Sequence, residues 1–262
     1  MEFGDDPRKY STSTEFEGGG TVKERYVLLF HLAFAFCLAI AAPQFAGAQT
    51  VDKKIAETMS TESYDVARVI QLKDSFGEVF VEGWDQPSIE ISIVKSTRKK
   101  YAPKDQAEAR AQLDRIKVTM TKESADKLLV TTNFPSRNLF TRPFRAKTNL
   151  KLVYKIKVPR NTVLDIDHDM GVVNVIGVAA QTRITNGIGA ISLSLPASEE
   201  YYIDASSKLG EVKSDFDAKS NRPYLLGAKA VNKAGGEAHR LYLRVGIGEI
   251  EIKKSAPPST GT

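Results

Sequence analysis

Residues 248–252 read "GEIEI": a glycine, then isoleucines at the second and fourth places after it. The same phrase recurs as "GEVFV" at 77, "GVVNV" at 171, "GAISL" at 189 and "GEVKS" at 210. Apolar residues at alternate positions put one side of an extended chain in a core and the other in water, the signature of a half-buried strand. Glycine ahead of each phrase marks a place where the backbone turns through conformations closed to other residues. Three of the four gaps between these glycines, 18, 21 and 38 residues, are near multiples of about 19, the scale of the shorter solenoid repeats. The pattern predicts an all-β chain. A solenoid-like stack of short strands, of β-helix or β-roll type, satisfies it; an antiparallel β-sandwich with glycine in its hairpin turns is the alternative.

Strand patterns fill the rest of the chain. Ile89, Ile91 and Ile93 alternate in "PSIEISIVK". In "NLKLVYKIKVP", Leu150, Leu152, Tyr154, Ile156 and Val158 share one face while Lys151, Lys155 and Lys157 stand among the residues opposite. Pro159 ends that strand, since proline cannot donate to a ladder. One helix is expected at about 103–116, where Pro103 can open it and good helix formers follow, with Ala107, Ala109, Ala111, Leu113 and Ile116 as a weak apolar stripe. The structural glycines are taken to be Gly77, Gly83, Gly171, Gly177, Gly189, Gly210 and Gly248.

The N-terminal part has a different character. After Lys23 and Arg25, residues 26–42 carry no charge and are mostly Leu, Phe and Ala, and Ala46-Gly47-Ala48 has the small-x-small form of a cleavage site. Residues 22–48 thus read as a secretory signal peptide, with an anchor retained through residues 26–42 as the alternative. The acidic, Ser/Thr/Gly-rich segment 1–21 is a poor start for a signal, so translation is expected to begin near Val22. Phe36 before Cys37, the sole cysteine, argues against lipidation there. The remaining domain, 49–254, has 33 basic and 26 acidic residues and no cysteine, so core burial alone must hold it. Residues 255–262 read as a disordered tail.

These residues together resemble the bacterial "putative adhesin" domain of unknown function. "GEVFVEGWD" at 77–85, the Val158-Pro159 strand end, "GVVNVIG" at 171–177 and "GAISL" at 189–193 carry the likeness, which spans nearly all of 65–255. The resemblance implies a solenoid-like, extracytoplasmic, non-catalytic domain. The segment 133–149 departs from it, being longer and more basic than a plain strand connection.

That segment is the leading candidate for binding. From Lys127 to Arg160 there are nine basic residues and no acidic one, and Phe140 and Phe144 interleave with Arg137, Arg142, Arg145 and Lys147. With Lys151, Lys155 and Lys157 these suit an anionic glycan, lipid or lipopolysaccharide. Another protein is also an admissible partner; nucleic acid is not expected outside the cell. "DIDHD" at 165–169 offers carboxylates and an imidazole, but Asp165 and Asp167 alternate with Leu164 and Ile166 as outward strand residues would, so no metal is expected. No G-x-S-x-G elbow is present, and "GIGAIS" and "GIGEIE" lead into strands rather than helices, so no phosphate loop, nucleophile or cofactor is expected. A carbohydrate-active enzyme, using pairs among Asp165, Asp167, Glu211, Asp215 and Asp217, is the enzymatic alternative. The reading that fits best is an exported, non-catalytic binding or structural module of the cell envelope, with a membrane-anchored scaffold as a further alternative.

Overall fold

The computed structural model describes residues 53–65, 67–134, 149–221, 227–232 and 238–255. All belong to one unit, Val51–Thr262. The chain runs β1 (Lys54–Asp65), β2 (Val69–Trp84), β3 (Ser88–Tyr101), a 3-10 turn (Pro103–Asp105), α1 (Gln106–Asp114), β4 (Lys117–Ser124), β5 (Lys127–Asn133), β6 (Leu150–Pro159), β7 (Val163–Ile176), β8 (Thr182–Pro196), β9 (Tyr201–Leu209), β10 (Val212–Ser214), β11 (Lys219–Asn221), β12 (Ala228–Val231) and β13 (His239–Ser255). The fold is all-β, as the alternation predicts. The helix is shorter than expected: its first turn is 3-10, Ala107 and Ala111 are exposed, and only Ala109 and Leu113 within it are buried. Ser255 closes β13 opposite Pro196, so the strand takes one residue that the sequence assigned to the tail. The remainder of that tail, the proposed signal and residues 135–148 lie outside the described residues.

The strands form one mixed sheet in the order β1-β3-β6-β2-β7-β8-β13-β9-β12-β11. Neighbours from β6 to β9 along this path are parallel; the pairs toward both ends, β1/β3, β3/β6, β9/β12 and β12/β11, are antiparallel. The order is not that of the chain. The C-terminal strand β13 lies between β8 and β9, so the rung at Gly248, and not the one at Gly210, sits beside the rung at Gly189.

The connection between β7 and β8 shows how such strands are shaped. They run parallel, Leu164 opposite Thr182 and Ile176 opposite Ser194, yet only residues 177–181 join the end of one to the start of the other. A straight 14-residue strand would span roughly 43 Å, whereas that connection reaches at most about 20 Å. Each strand must therefore fold back within itself, and the place is the glycine. Gly77, Gly171, Gly189 and Gly248 stand in register across β2, β7, β8 and β13 with φ between 105° and 137°. Gly210, just after β9 and at φ 144°, extends the column past β13, a Cβ on it lying 1.9 Å from the Gly248 oxygen.

The column admits no side chain. A Cβ on Gly189 would lie 1.8 Å from the Gly171 carbonyl oxygen, and one on Gly248 1.7 Å from that of Gly189. The two arms of a bent strand then take different neighbours: β2 pairs β5 before Gly77 and β6 after it, and β13 pairs β9 before Gly248 and β10 after it. Gly83 and Gly177 meet at a separate close approach, where a Cβ on Gly83 would sit 2.2 Å from the Gly177 oxygen.

Inside the bend the core is mostly apolar. Leu164, Ile166, Val173 and Val175 of β7 are buried over Thr182, Ile184, Ile191 and Leu193 of β8. Just before the bend the buried residues turn polar: Ser75, His168, Asn186 and Ser207. Three of these side chains reach the column's carbonyls, His168 Nε2 lying 3.2 Å from Gly77 O, Asn186 Nδ2 3.0 Å from Gly171 O and Ser207 Oγ 2.7 Å from Gly248 O. A buried carbonyl without a partner is costly, and these donors supply one from the neighbouring rung. β13 places Val245 at this level, which brings no donor.

Candidate binding surface

Strand alternation decides where the sequence-derived candidates point. On β6, Leu150, Leu152, Tyr154, Ile156 and Val158 are buried, with the Tyr154 hydroxyl 2.6 Å from Thr132 Oγ1. Lys151, Lys155 and Lys157 consequently share the outer face. Two of them are already engaged: Lys151 Nζ lies 3.2 Å from Glu78, and Lys157 Nζ 3.2 Å from Glu90 and 5.3 Å from the Trp84 ring centre. Lys155 stands between Phe80 and Ser92 on the flanking strands, and among the described residues it has no carboxylate within ion-pair distance. Phe80 is itself exposed. Arg137, Phe140, Arg142, Phe144, Arg145 and Lys147 lie outside the described residues. The chain leaves toward them at Phe134, whose ring packs edge-on against Phe76 at 6.1 Å. It returns at Asn149, which donates to Tyr101 Oη and accepts from the Lys99 amide.

The "DIDHD" stretch is divided by the same alternation. Asp165, Asp167 and Asp169 face outward on β7, while His168 is buried. The imidazole and the carboxylates are therefore on opposite faces and cannot close on one ion. His168 Nδ1 lies 2.6 Å from Ser75 Oγ, with both side chains buried. Its other nitrogen meets the Gly77 carbonyl rather than a carboxylate, so the pair has neither the access nor the orienting acid of a hydrolase dyad. Burial is the main cause pushing the His168 pKa below its ordinary value, so the ring is neutral; Nε2 donates to the carbonyl and Nδ1 accepts from the serine.

The carboxylates considered for glycoside cleavage fall on different arms. Asp165 and Asp167 precede the glycine column; Glu211, Asp215 and Asp217 follow it. Glu211 pairs with Lys213 at 3.2 Å, and Asp215 accepts from the Lys254 amide. Among the described residues no three His, Cys, Asp or Glu side chains gather as a metal site would require, and no helix is long and apolar enough to cross a membrane.

The outer face carries a feature the sequence reading did not pick out. Gln71, Asp165, Arg183, Tyr242 and Asp204 stand in one cross-strand row over β2, β7, β8, β13 and β9. Gln71 Nε2 donates to Asp165 at 2.7 Å, and Arg183 lies 3.9 Å from the same carboxylate. Arg183 and Arg244 pack on the Tyr242 ring at 5.0 and 3.7 Å, and Arg244 forms a 2.7 Å ion pair with Asp204. The signal was present in the sequence: each member of this row lies six residues before its glycine. Aligning the phrases on that glycine, rather than scanning for local motifs, brings the row together.

No family model matches the chain, and no curated protein does. Among solved structures, a "putative cell adhesion protein" from Clostridium sporogenes aligns with 76% of this chain and 100% of its own, at 13% identity and a TM-score of 0.44. A "putative adhesin" from Parabacteroides distasonis covers 78% of this chain and 80% of its own, at 13% identity and a TM-score of 0.26. A "putative lipid binding protein" from the same organism covers 77% and 97%, at 10% identity and a TM-score of 0.24. The first two carry descriptions of the kind that the motifs of residues 65–255 resemble.

Proposed function

We propose that residues 49–254 form an exported, non-catalytic binding module of the cell envelope, built as a solenoid-like stack of bent strands. What supports the stack is the parallel register of β7 on β8 across a five-residue connection, with the glycine column at the bend. Such a stack is rigid and presents outward side chains in straight rows, which suits extended ligands with repeated groups. Residues 22–48 direct export and are removed, or else tether the module through residues 26–42.

The contact is assigned to the basic face. Lys155, beside exposed Phe80, is assigned to it, and so from the sequence are Arg137, Phe140, Arg142, Phe144, Arg145 and Lys147. Cations next to exposed aromatic rings fit an anionic lipid headgroup, a lipopolysaccharide phosphate or an acidic glycan. Lys151 and Lys157 contribute less, because Glu78 and Glu90 already offset their charge. The observation that carries this reading is Lys155, which among the described residues has no carboxylate within ion-pair distance while Lys151 and Lys157 on the same face do.

Co-sedimentation with phosphatidylglycerol-containing vesicles tests it. The wild-type chain is expected to bind, and to release as salt is raised. Replacing Arg137, Arg142, Arg145 and Lys155 together by Ser should weaken binding about tenfold or more, each contact being worth on the order of 1 kcal/mol. Equal binding by the variant and the wild type would refute the assignment.

A further inference from the structure

The two ends of the sheet finish differently. One end closes on the three-residue strand β11. The other ends on β1, twelve residues long and, among the described residues, paired only with β3. Ala56 is the only buried residue of β1. A strand of this length that has no second neighbouring strand among the described residues is a template for a further strand, which is why edges are usually kept short or bulged.

The outward face shows where a further strand would fit. Val153 of β6 stands opposite Val94 of β3, and Val94 stands opposite Met59 of β1. Directly opposed residues share a face, so the three form an apolar row. The valines are half-buried, while Met59, at the rim, is 62% exposed. The row stops in the open at the middle of the edge strand.

The charges of the strand select what could continue it. Lys53 precedes it, and Glu62 and Asp65 lie at its far end. A parallel second copy would set Glu57 on Glu57 and Glu62 on Glu62, which is destabilising. An antiparallel copy centred between Met59 and Ser60 would oppose Glu57 and Glu62. An antiparallel copy centred on Met59 opposes Lys53 to Asp65, Ile55 to Ser63 and Glu57 to Thr61, and it joins the two apolar rows end to end.

We propose that β1 is the contact through which two copies of this chain associate, antiparallel about a two-fold axis at Met59, so that two sheets become one. The interface is self-complementary, as a closed dimer requires. Its main-chain ladder supplies affinity, and the methionines and the Lys53–Asp65 pairs fix the register. Two basic faces then lie on one continuous sheet, although the association itself needs no ligand.

Light scattering on the full chain, with Cys37→Ser to remove the sole thiol, tests this. The wild-type background should have twice the 28.8 kDa chain mass. Met59→Lys opposes two ammonium groups at the axis and should weaken the dimer at least about tenfold. Lys53→Glu should weaken it too, and adding Asp65→Lys should restore it, which a folding defect would not do. Met59→Cys should give a covalent dimer on mild oxidation, since directly opposed Cβ atoms lie about 4.5–5.5 Å apart. A wild-type chain that stays monomeric at about 100 µM, far above a micromolar Kd, would overturn the proposal. So would a Met59→Lys dimer as tight as wild type, or a charge swap that restores nothing.

Discussion

The parallel core of β2, β7, β8 and β13 and the antiparallel flank of β1 and β3 pack the same kinds of side chain by different rules. In the core, every strand bends at a glycine, and β7 and β8 each hand a polar side chain to a column carbonyl of the strand beside them. In the flank, β3 runs for 14 residues without a glycine and buries Ile89, Ile91 and Ile93 by alternation alone. Register in the flank rests on which face is apolar, which allows a slip of two residues at modest cost. Register in the core is pinned at one residue per strand, because only glycine can occupy the column.

Substitution at the column should break this contrast most severely. Gly189→Ala brings a Cβ to 1.8 Å from a backbone oxygen at a φ of 137°. The expected loss is more than about 3 kcal/mol, seen as a large fall in the urea midpoint or as failure to fold. Ser63→Ala on exposed β1 should change stability, read from the same midpoint, by no more than about 0.5 kcal/mol. Comparable losses at the two positions would erase the distinction between the regions.

The polar level inside the bend should come next. Asn186 donates to the Gly171 and Ala190 carbonyls at 3.0 and 3.3 Å. Asn186→Val removes both donors and should cost about 1–3 kcal/mol. That is less than the column substitution; the nearest counterpart in the flank is the buried Thr97 hydroxyl, 3.4 Å from the Ala56 carbonyl oxygen. Chemical denaturation of the purified variant measures it; a neutral result would mean that the carbonyls find other partners.

The smallest effect is one of pH. The folded chain holds His168 with a lowered pKa, chiefly through burial, so below the free-histidine value of about 6.5 the unfolded chain binds the extra proton. Stability should therefore be fully present above about pH 6.5 and decline as pH falls from there toward the folded-state pKa. His168→Asn, which keeps a donor for Gly77, should flatten that part of the profile. Melting curves between pH 7.5 and 5, in about 0.5-unit steps, distinguish the two. An unchanged slope in the variant would assign the pH dependence to other groups.

How much could be read from the sequence follows the same division. The phrase "GEIEI" and its relatives exposed the all-β class, the buried positions two and four residues after each glycine but Gly210, where Ser214 is half-buried, and the glycines themselves, because local alternation and backbone freedom are written in neighbouring residues. The order of the rungs was not legible. Gly248 follows Gly210 in the chain but stands beside Gly189 in the sheet, and nothing local to residues 239–255 announces that the last strand enters the middle. The candidate surface divides likewise. The outward direction of Lys151, Lys155 and Lys157 follows from alternation, but the partners Glu78 and Glu90 come from strands remote in the chain. His168 was set among the aspartates by sequence and is turned away from them by the pleat, a separation that a one-residue step always produces.

The most direct test concerns the register of β7 on β8. With Cys37→Ser, the pair Val172→Cys and Ala190→Cys places two thiols on directly opposed outward positions of adjacent parallel strands. The bent-strand account predicts rapid disulfide formation in the folded protein. An antiparallel hairpin closed over residues 177–181 would oppose Val172 to Asn186 instead, carrying position 190 about 14 Å along the strand and out of bonding range. Failure of the 172–190 pair to link, in a chain that is otherwise folded, would contradict the parallel stack and with it the reading of the glycine column.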